Sequence, residues 1–296
     1  MRDGLVIIDK PAGWTSHDVV AKLRGVYGQR RIGHTGTLDP DATGVLVVAL
    51  GRATRLVRYL QLAEKSYEGE IAFGVATDTL DASGAVLERA PMQIDAAMVE
   101  AVLPSFLGEI QQLPPMVSAV KVAGQKLYEA ARRGETVERT PRTVRIDAIT
   151  LEEFTPGPFP RARITVTCGS GTYIRALASD IGVALGGCAH LAHLRRTSVG
   201  GFTLTDAHAL DGVIADPDAA LLPIERAAHE LELVTITQDR VAPVQHGMVF
   251  PATALIGETS AVGPFAVLSP QGVLLAVYER RGNSVKPSVV LAINEA

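Results

Sequence analysis

The sequence predicts an α/β (α+β) protein with a large mixed domain over residues 1–225 and a small β-rich module over residues 226–296. Apolar blocks of strand length and stretches of helical periodicity are interspersed through the first part. The last part holds short strand patterns joined by turns, such as the one at residues 270–272. The length of 296 residues fits one large and one small domain, and the 47% hydrophobic and 20% charged residues are typical of a packed globular chain.

The N-terminal quarter predicts three strands and a helix. Residues 4–9 form an apolar block that is typical of a buried strand. Ser16 is expected to cap a helix that runs to about Tyr27, because apolar residues recur on one face. Residues 45–50, which are apolar throughout, and residues 67–73, which alternate polar and apolar side chains, predict two further strands.

The middle of the chain is less regular. A helix is predicted over residues 95–107, with Pro104 disturbing it. Residues 113–142 are bounded by prolines and basic, with a helical pattern near residues 127–133, and we interpret them as an inserted surface element.

The second half of the large domain predicts two strands and another helix. The strands are expected at residues 144–151 and 162–168, and the Gly-Ser-Gly-Thr stretch at residues 169–172 opens a helix of 3.6-residue period. The acidic, proline-containing stretch at residues 206–223 is interpreted as a linker. In the C-terminal module, strands are expected near residues 265–269 and 273–278 among others.

Charge is segregated along a chain whose formal net charge is −4. Residues 1–60, 115–150 and 161–200 carry net charges of +4, +3 and +4, whereas residues 61–114 and 201–240 carry −7 and −6. Such segregation allows a basic face on an acidic molecule, and a polyanion responds to the local field. On charge alone, an ordinary solvated surface is the simpler interpretation.

Targeting and redox signals point to the cytoplasm. No apolar run approaches the roughly 20 residues of a membrane-spanning helix, and the N-terminal apolar block is followed at once by Asp9 and Lys10, unlike a secretory signal. Cys168 and Cys188 form neither a disulfide framework nor a metal-binding pattern. We therefore expect a cytoplasmic protein with no membrane association.

Residues 33–46 form the most informative segment. Three glycines within twelve residues keep the backbone open to a ligand, and Pro40 biases Asp39 toward an extended conformation. A carboxylate held in a stiff loop suits a nucleophile or a base. An ordinary turn, in which Asp39 caps neighbouring amides, is the simpler interpretation.

Other site types fit less well. The segment lacks the lysine of a phosphate-binding loop. Its Asp-Pro-Asp-Ala-Thr string fits Mg²⁺-dependent aspartyl phosphatases, but those enzymes place the first aspartate directly after a buried strand. His190 and His193 are spaced to share a helical face but have no third metal ligand nearby in sequence, so we interpret them as helix-end residues and predict no metal site.

Taken together, the motifs resemble the bacterial TruB family, the tRNA pseudouridine-55 synthases that act on the T-arm. The similarity spans residues 4–205, and its motifs occur in the order of the family: residues 4–16, 33–46, 114–128, 169–175 and 194–196. It implies a catalytic domain with a mixed, largely antiparallel sheet flanked by helices, with residues 113–142 as an RNA-gripping insertion. The C-terminal module is similar to PUA-type RNA-binding modules. Val117 departs from the family, many of whose members carry an aromatic residue there.

The resemblance implies three catalytic residues. Asp39 matches the essential carboxylate, Tyr67 the tyrosine that stacks on the target base, and Arg175 the arginine that pairs with the catalytic aspartate. An arginine beside the aspartate favours its charged form. A tyrosine platform suits a uridine that must leave its stack to be reached.

It also implies the substrate-binding residues. His34 matches the residue that occupies the space left by flipped nucleotides, Tyr173 and Leu194 match positions that line the uridine pocket, and Lys10 matches a lysine near the active site. Asp81 resembles a supporting polar position. The implied isomerisation has no redox step, so we expect no cofactor. We also expect the substrate to be tRNA, and the protein to act as a monomer without a protein partner. An RNA-binding protein without catalysis is the alternative that the sequence leaves open, and a Mg²⁺-dependent phosphatase is a weaker one.

Overall fold

The computed structural model describes residues 2–116, 138–255 and 263–291, and the strands at residues 121–122 and 125–126 between them. No helix in these ranges is long and apolar enough to cross a membrane. The strands are β1 (Gly4–Lys10), β2 (Ile32–His34), β3 (Thr43–Leu50), β4 (Lys65–Phe73), β5 (Val75–Thr77), β6 (Val86–Arg89), β7 (Gly108–Gln112), β8 (Lys121–Val122), β9 (Gln125–Lys126), β10 (Arg142–Thr155), β11 (Arg161–Cys168), β12 (Ala189–Val199), β13 (Phe202–Thr203), β14 (His208–Ala209), β15 (Glu232–Thr235), β16 (Phe250–Pro251), β17 (Phe265–Leu268), β18 (Leu274–Arg281) and β19 (Ser284–Val290). The helices are α1 (Ser16–Tyr27), α2 (Val57–Leu62), α3 (Ala96–Val102), α4 (Ile174–Ala184), α5 (Leu210–Ala215), α6 (Gln238–Gln245) and α7 (Ala252–Leu255).

A ten-stranded sheet forms the centre of the described chain. Its main path runs β14-β1-β3-β12-β4-β11-β10-β7, with β2 paired to β3 and β13 paired to β12. The β1–β14 and β3–β12 pairs are parallel, and the other pairs in this sheet are antiparallel. The predicted mixed, largely antiparallel sheet flanked by helices is therefore confirmed.

The strands β1 and β3 are buried on both faces, which explains their unbroken apolar sequences. Side chains on one face, such as Val6 and Val48, pack against α1. Those on the other face, such as Ile7 and Val47, share a core with α2 and with strands of the C-terminal part. A third core lies between α4 and the β4, β11 and β12 strands, where Ile164 and others are fully buried.

The C-terminal part forms its own five-stranded sheet in the order β15-β17-β18-β19-β16. It shares apolar packing with the large sheet. It also forms polar bonds with α2 and the turn before it, including one between the hydroxyls of Tyr59 and Ser288 at 2.5 Å and one from Arg55 to the carbonyl of Val290. The boundary at residue 225 and the likeness to a PUA module stay predictions.

Two local predictions were wrong. The cap of α1 is Thr15, which forms a capping box with Asp18, and not Ser16. Both hydroxyl residues fit the sequence signal for a cap, but Thr15 has the extended backbone of a cap and Ser16 is already the first residue of the helix. Residues 206–223 are not a linker. They contain β14 and α5, whose Leu210 and Val213 are buried in the α1 core.

Three further predictions need comment. The helix predicted over residues 95–107 ends at Val102 and continues as a 3₁₀ turn that contains Pro104. The prediction that His190 and His193 lie at a helix end was also wrong, because both residues lie on β12. The helical pattern near residues 127–133, and Val117, lie outside the described residues.

Candidate active site

Asp39 lies in the loop that joins β2 to β3, and two side chains from elsewhere in the chain hold this loop. The Oγ of Ser16 accepts a hydrogen bond from the Leu38 amide at 2.9 Å and donates to the Leu38 carbonyl at 3.2 Å. The Nζ of Lys10 donates to the carbonyl of Pro40 at 3.0 Å. Both neighbours of Asp39 are thus anchored, so its carboxyl is positioned before any ligand arrives.

Arg175, in the first turn of α4, faces the Asp39 carboxylate. Its side chain is 5% exposed, its Nε lies 3.0 Å from Asp39 Oδ2, and its Nη2 donates to Asp39 Oδ1 at 3.3 Å. Its Nη1 donates to the carbonyl of Thr79 at 2.9 Å and lies 3.2 Å from Asp81 Oδ2. A planar guanidinium suits such a fork. The two carboxylates also offset the cost of a positive charge at a helix N-terminus.

Electrostatic influences on Asp39 oppose each other. Desolvation by the surrounding protein raises the pKa of Asp39, although 41% of its side chain remains exposed. The guanidinium of Arg175 is the largest opposing influence, and Lys10 acts in the same direction, while Asp81 and Asp41 raise the pKa further. The net pKa is raised, and without Arg175 it would be higher still.

The loop after β5 carries Asp81 and is internally braced. Asp81 Oδ1 accepts hydrogen bonds from the Thr79 hydroxyl at 2.6 Å and from the amide and hydroxyl of Ser83. Leu80, between Thr79 and Asp81, has a φ of 63°, which residues other than glycine rarely adopt. Its carbonyl accepts a hydrogen bond from the Leu191 amide at 3.0 Å. Strained backbone of this kind persists where the surroundings enforce it. Here it presents the Thr79 carbonyl and the Asp81 carboxylate to Arg175.

A cleft of about 240 Å³ opens beside these groups. Its walls come from residues 39–42, from residues 79 and 81–83, from Arg175 and from β12, where Leu194 lies. A neighbouring cavity of about 270 Å³ shares part of this wall and extends it along β4 and β12. Together they form a groove in which Asp39, Arg175 and Leu194 meet, as the family resemblance implies.

Tyr67 lies on β4, opposite Arg196, and is only 8% exposed. Burial raises its pKa, and a hydrogen bond with Arg196 acts in the opposite direction. Arg196, which is 1% exposed, also donates to the carbonyls of Val45 at 2.7 Å and Gly36 at 3.1 Å. The residues that line the cleft do not include Tyr67, so its stacking on a base stays a prediction.

His34 ends β2, and its ring meets that of His17 edge to face, with centroids 5.8 Å apart. Burial lowers the pKa of His34 to about 4, and the charges of His17 and Arg196 lower it in the same direction, so the ring is neutral at pH 7. Its Nδ1 is buried without a hydrogen-bond partner in the described part of the chain. His34 does not line the cleft, and its role with flipped nucleotides stays a prediction.

Lys10 is fully buried, and all three of its ammonium protons are used within the protein. Nζ donates to the carbonyls of Pro11 at 2.9 Å, Trp14 at 2.7 Å and Pro40 at 3.0 Å. Burial lowers the pKa of Lys10 to about 8, although Asp41 and Asp39 raise it. In this geometry Lys10 positions the loop of Asp39, and a direct contact with substrate would have to replace one of these bonds.

Lys10→Met is expected to lower the free energy of unfolding by about 1–3 kcal/mol, because it leaves buried carbonyls without a donor. Turnover should fall on the order of tenfold as the Asp39 loop loosens, with little change in substrate affinity. Urea denaturation and single-turnover kinetics check this, with Lys22→Met, an exposed residue of α1, as the control. A variant with the stability and rate of the wild type would show that Lys10 does not hold the loop.

Sequence reasoning identified the charged residues of this site but missed the groups that hold them. Tyr173 is the residue just before α4, and its backbone is bonded by the side chain of Gln112. Gln112 and Arg196 carried no assigned role, and Ser16 was expected only as the cap of a helix. Ser16 and Arg196 lie within two of the family motifs, at residues 4–16 and 194–196, and this was the only sequence signal that pointed to them.

Metal binding finds no support among the residues that the structure describes: no group of three or more His, Cys, Asp or Glu side chains is arranged to hold an ion. The expectation that no cofactor is needed stays a prediction, because it rests on the chemistry of the reaction.

Comparison with protein families identifies the relatives of this chain. Residues 24–174 match the family model described as TruB family pseudouridylate synthase (N terminal domain), and residues 175–228 match the tRNA pseudouridylate synthase B C-terminal domain. The chain belongs to the TruB family. Among family members, tRNA pseudouridine synthase B of Thermobifida fusca (strain YX) is 45% identical, covering 99% of each chain. That of Streptococcus thermophilus (strain CNRZ 1066) is 42% identical over 99% of this chain and 100% of its own.

Solved structures with a similar fold extend this likeness. One is a chain from the structure of an H/ACA RNP bound to a substrate RNA containing 2′-deoxyuridine, with a TM-score of 0.76 and 26% identity, covering 99% of this chain and 86% of that one. Another comes from a Cbf5-Nop10-Gar1 complex, with a TM-score of 0.75 and 28% identity over 97% and 83% of the two chains.

Proposed function

We propose that this TruB-family protein is a tRNA pseudouridine synthase that isomerises uridine 55 in the T-arm, with Asp39 as the catalytic group. The observation that carries the proposal is the Asp39 carboxylate, held by the two-point contact of Arg175 at the edge of a groove. Family membership adds the reaction, because relatives 40–45% identical over nearly the whole chain are named tRNA pseudouridine synthase B.

The reaction suits a single ionised carboxylate. Pseudouridine forms when the N1–C1′ bond breaks, the base turns and C5 joins C1′, after which C5 loses its proton and N1 gains one. A carboxylate supports this by attacking or stabilising the reacting carbon, as in glycoside chemistry. Arg175 keeps Asp39 charged and aimed. Leu194, in the cleft wall, and Tyr173 line the pocket of the uridine, whereas Tyr67 stacks on the base once it is flipped.

The remaining assignments concern the RNA substrate and the parts of the protein that bind it. His34 occupies the space that flipped nucleotides leave, and Lys10, buried beside the active site, holds the loop of Asp39 in place for the reaction. The substrate is the T-arm of tRNA, recognised in part by the insertion at residues 113–142 and by the C-terminal module. We propose that the enzyme works in the cytoplasm as a monomer, without a protein partner or cofactor.

The decisive experiment is tritium release from unmodified tRNA labelled with [5-³H]uridine, with EDTA present, for the wild type and Asp39→Asn. Release by the wild type alone would establish metal-free attack at C5 that depends on Asp39. No release by the wild type, together with tight tRNA binding, would favour the RNA-binding alternative. Activity on phosphomonoesters that requires Mg²⁺ would favour the phosphatase.

Binding of tRNA is expected to weaken with salt, because the basic segments of the chain would contact phosphates and release counterions. The apparent affinity should fall about tenfold or more between 50 and 200 mM salt. Filter binding over a salt series checks this, with an uncharged osmolyte at equal osmolarity as the control. Affinity that is insensitive to ionic strength would remove phosphate contacts from the proposal.

A further inference from the structure

Gln112 is a buried amide that bonds both backbone groups of Tyr173. It is the last residue of β7, is 2% exposed, and accepts a hydrogen bond from the Tyr173 amide at Oε1, at 2.7 Å. Its Nε2 donates to the Tyr173 carbonyl at 3.0 Å. The Gln112 side chain thus makes the two hydrogen bonds to the Tyr173 backbone that a neighbouring strand would otherwise make.

Tyr173 is the residue from which α4 starts. It occupies the N-cap position, its own side chain makes no capping hydrogen bond, and its carbonyl accepts the first helical hydrogen bond, from the Leu177 amide at 3.0 Å. The grip of Gln112 therefore acts on the beginning of the helix. Two residues on, Arg175 reaches Asp39 at 3.0 and 3.3 Å.

The chemistry of the contact selects an amide. Tyr173 offers one donor and one acceptor, so the partner must supply one of each from a planar group, as glutamine does. A leucine of similar size fills the space but leaves both backbone groups without that partner. A glutamate keeps the acceptor and places a second oxygen against the Tyr173 carbonyl.

We infer that Gln112 is a positioning residue of this active site, which fixes the start of α4 and thereby the guanidinium of Arg175 against Asp39. The inference rests on the proposed function. It links the predicted insertion to the chemistry, because Gln112 is the last residue before residues 113–142 leave the sheet.

The test compares Gln112→Leu and Gln112→Glu with Gln111→Leu. Gln111 is the matched control: it is the same residue type on the same strand, but it is exposed and donates to the hydroxyl of Thr143 at 2.8 Å, away from α4. Single-turnover pseudouridine formation should fall about 10- to 100-fold in Gln112→Leu, with tRNA affinity within about twofold. Gln111→Leu should keep both within about twofold of the wild type.

The pH profile gives a readout that simple destabilisation would not move. If Arg175 loosens, the acid limb of the rate should move to higher pH in Gln112→Leu, which adds no charge, and not in Gln111→Leu. Gln112→Glu introduces a carboxyl group of its own, so it is compared by rate alone. The other charged groups near Asp39 (Lys10, Asp41 and Asp81) are unchanged in all variants.

The outcomes separate the inference from the function on which it rests. A wild type that forms no pseudouridine would end the proposed function. An active wild type would overturn the inference if Gln112→Leu matched Gln111→Leu in rate and acid limb, and Gln112→Glu matched it in rate. Unfolding midpoints are measured first. If Gln112→Leu is unfolded at the assay temperature, the rate of Gln112→Glu is the test.

Discussion

Asp39→Asn is expected to abolish turnover, by at least about 10³-fold, while tRNA affinity stays within a few-fold of the wild type. Asparagine keeps the shape of the side chain and removes the charge that the reaction uses. The carboxyl is 41% exposed and its loop is anchored on both sides, so the substitution should leave the fold intact. Tritium release and filter binding on the same preparations check both parts.

Two further variants sharpen this expectation. Asp39→Glu retains the charge but moves it by one methylene, and it should also lose most activity, because the geometry of Arg175 fits the shorter side chain. Asp211→Asn, an exposed residue of α5, should behave as the wild type. A loss of affinity as large as the loss of turnover in Asp39→Asn would contradict a catalytic role.

Arg175→Met should have the second largest effect, a loss of turnover of about 10²-fold or more. It leaves the carboxylates of Asp39 and Asp81 facing each other without the guanidinium between them. Breaking the pairs should cost about 1–3 kcal/mol of stability, less than for fully buried pairs because Asp39 is partly exposed. Arg175→Lys keeps the charge but not the fork, so we expect an intermediate rate.

Replacing Arg175 should also shift the pH dependence of the rate, in a direction that follows from its influence on Asp39. Arg175 lowers the pKa of Asp39, so its removal raises that pKa, and the ionised, active form then persists only at higher pH. The acid limb of kcat/KM should therefore move upward in Arg175→Met and less in Arg175→Lys. Arg2→Met, which breaks an exposed pair with Asp218, is the control. An unmoved limb with a full rate would show that Arg175 does not tune Asp39.

The sequence located the central strands but not their ends. The apolar block at residues 45–50 is β3, which extends to Thr43, and the alternating residues 67–73 are β4, which begins at Lys65. The extra residues pair with β12, at Arg195 and Val199, more than 130 residues away. A local pattern reports which residues are buried, whereas the end of a strand depends on partners that are remote in sequence.

The same distinction applies to the site. Asp39 and Arg175 stand within recognisable motifs, and the structure brings them into contact. The tethers were not predictable, because their partners are between 22 and 61 residues away: Ser16 to Leu38, Lys10 to Pro40 and Gln112 to Tyr173. Thr15 and Ser16 both match the sequence pattern of a helix cap, but they have different roles. Thr15 caps the helix, and the hydroxyl of Ser16 is left to bond the loop of Asp39.

The pairing of Gln112 with Arg142 has an evolutionary consequence. These residues end β7 and begin β10, which are antiparallel neighbours, so the chain leaves the sheet and returns to it at one rung of the ladder. Antiparallel neighbours can be joined by a turn of two residues. The intervening segment can therefore lengthen, shorten or be exchanged without shifting the register of any strand. Under the proposed function, in which this insertion contacts RNA, substrate contacts can change in this way without moving the strands that carry Asp39 and its neighbours.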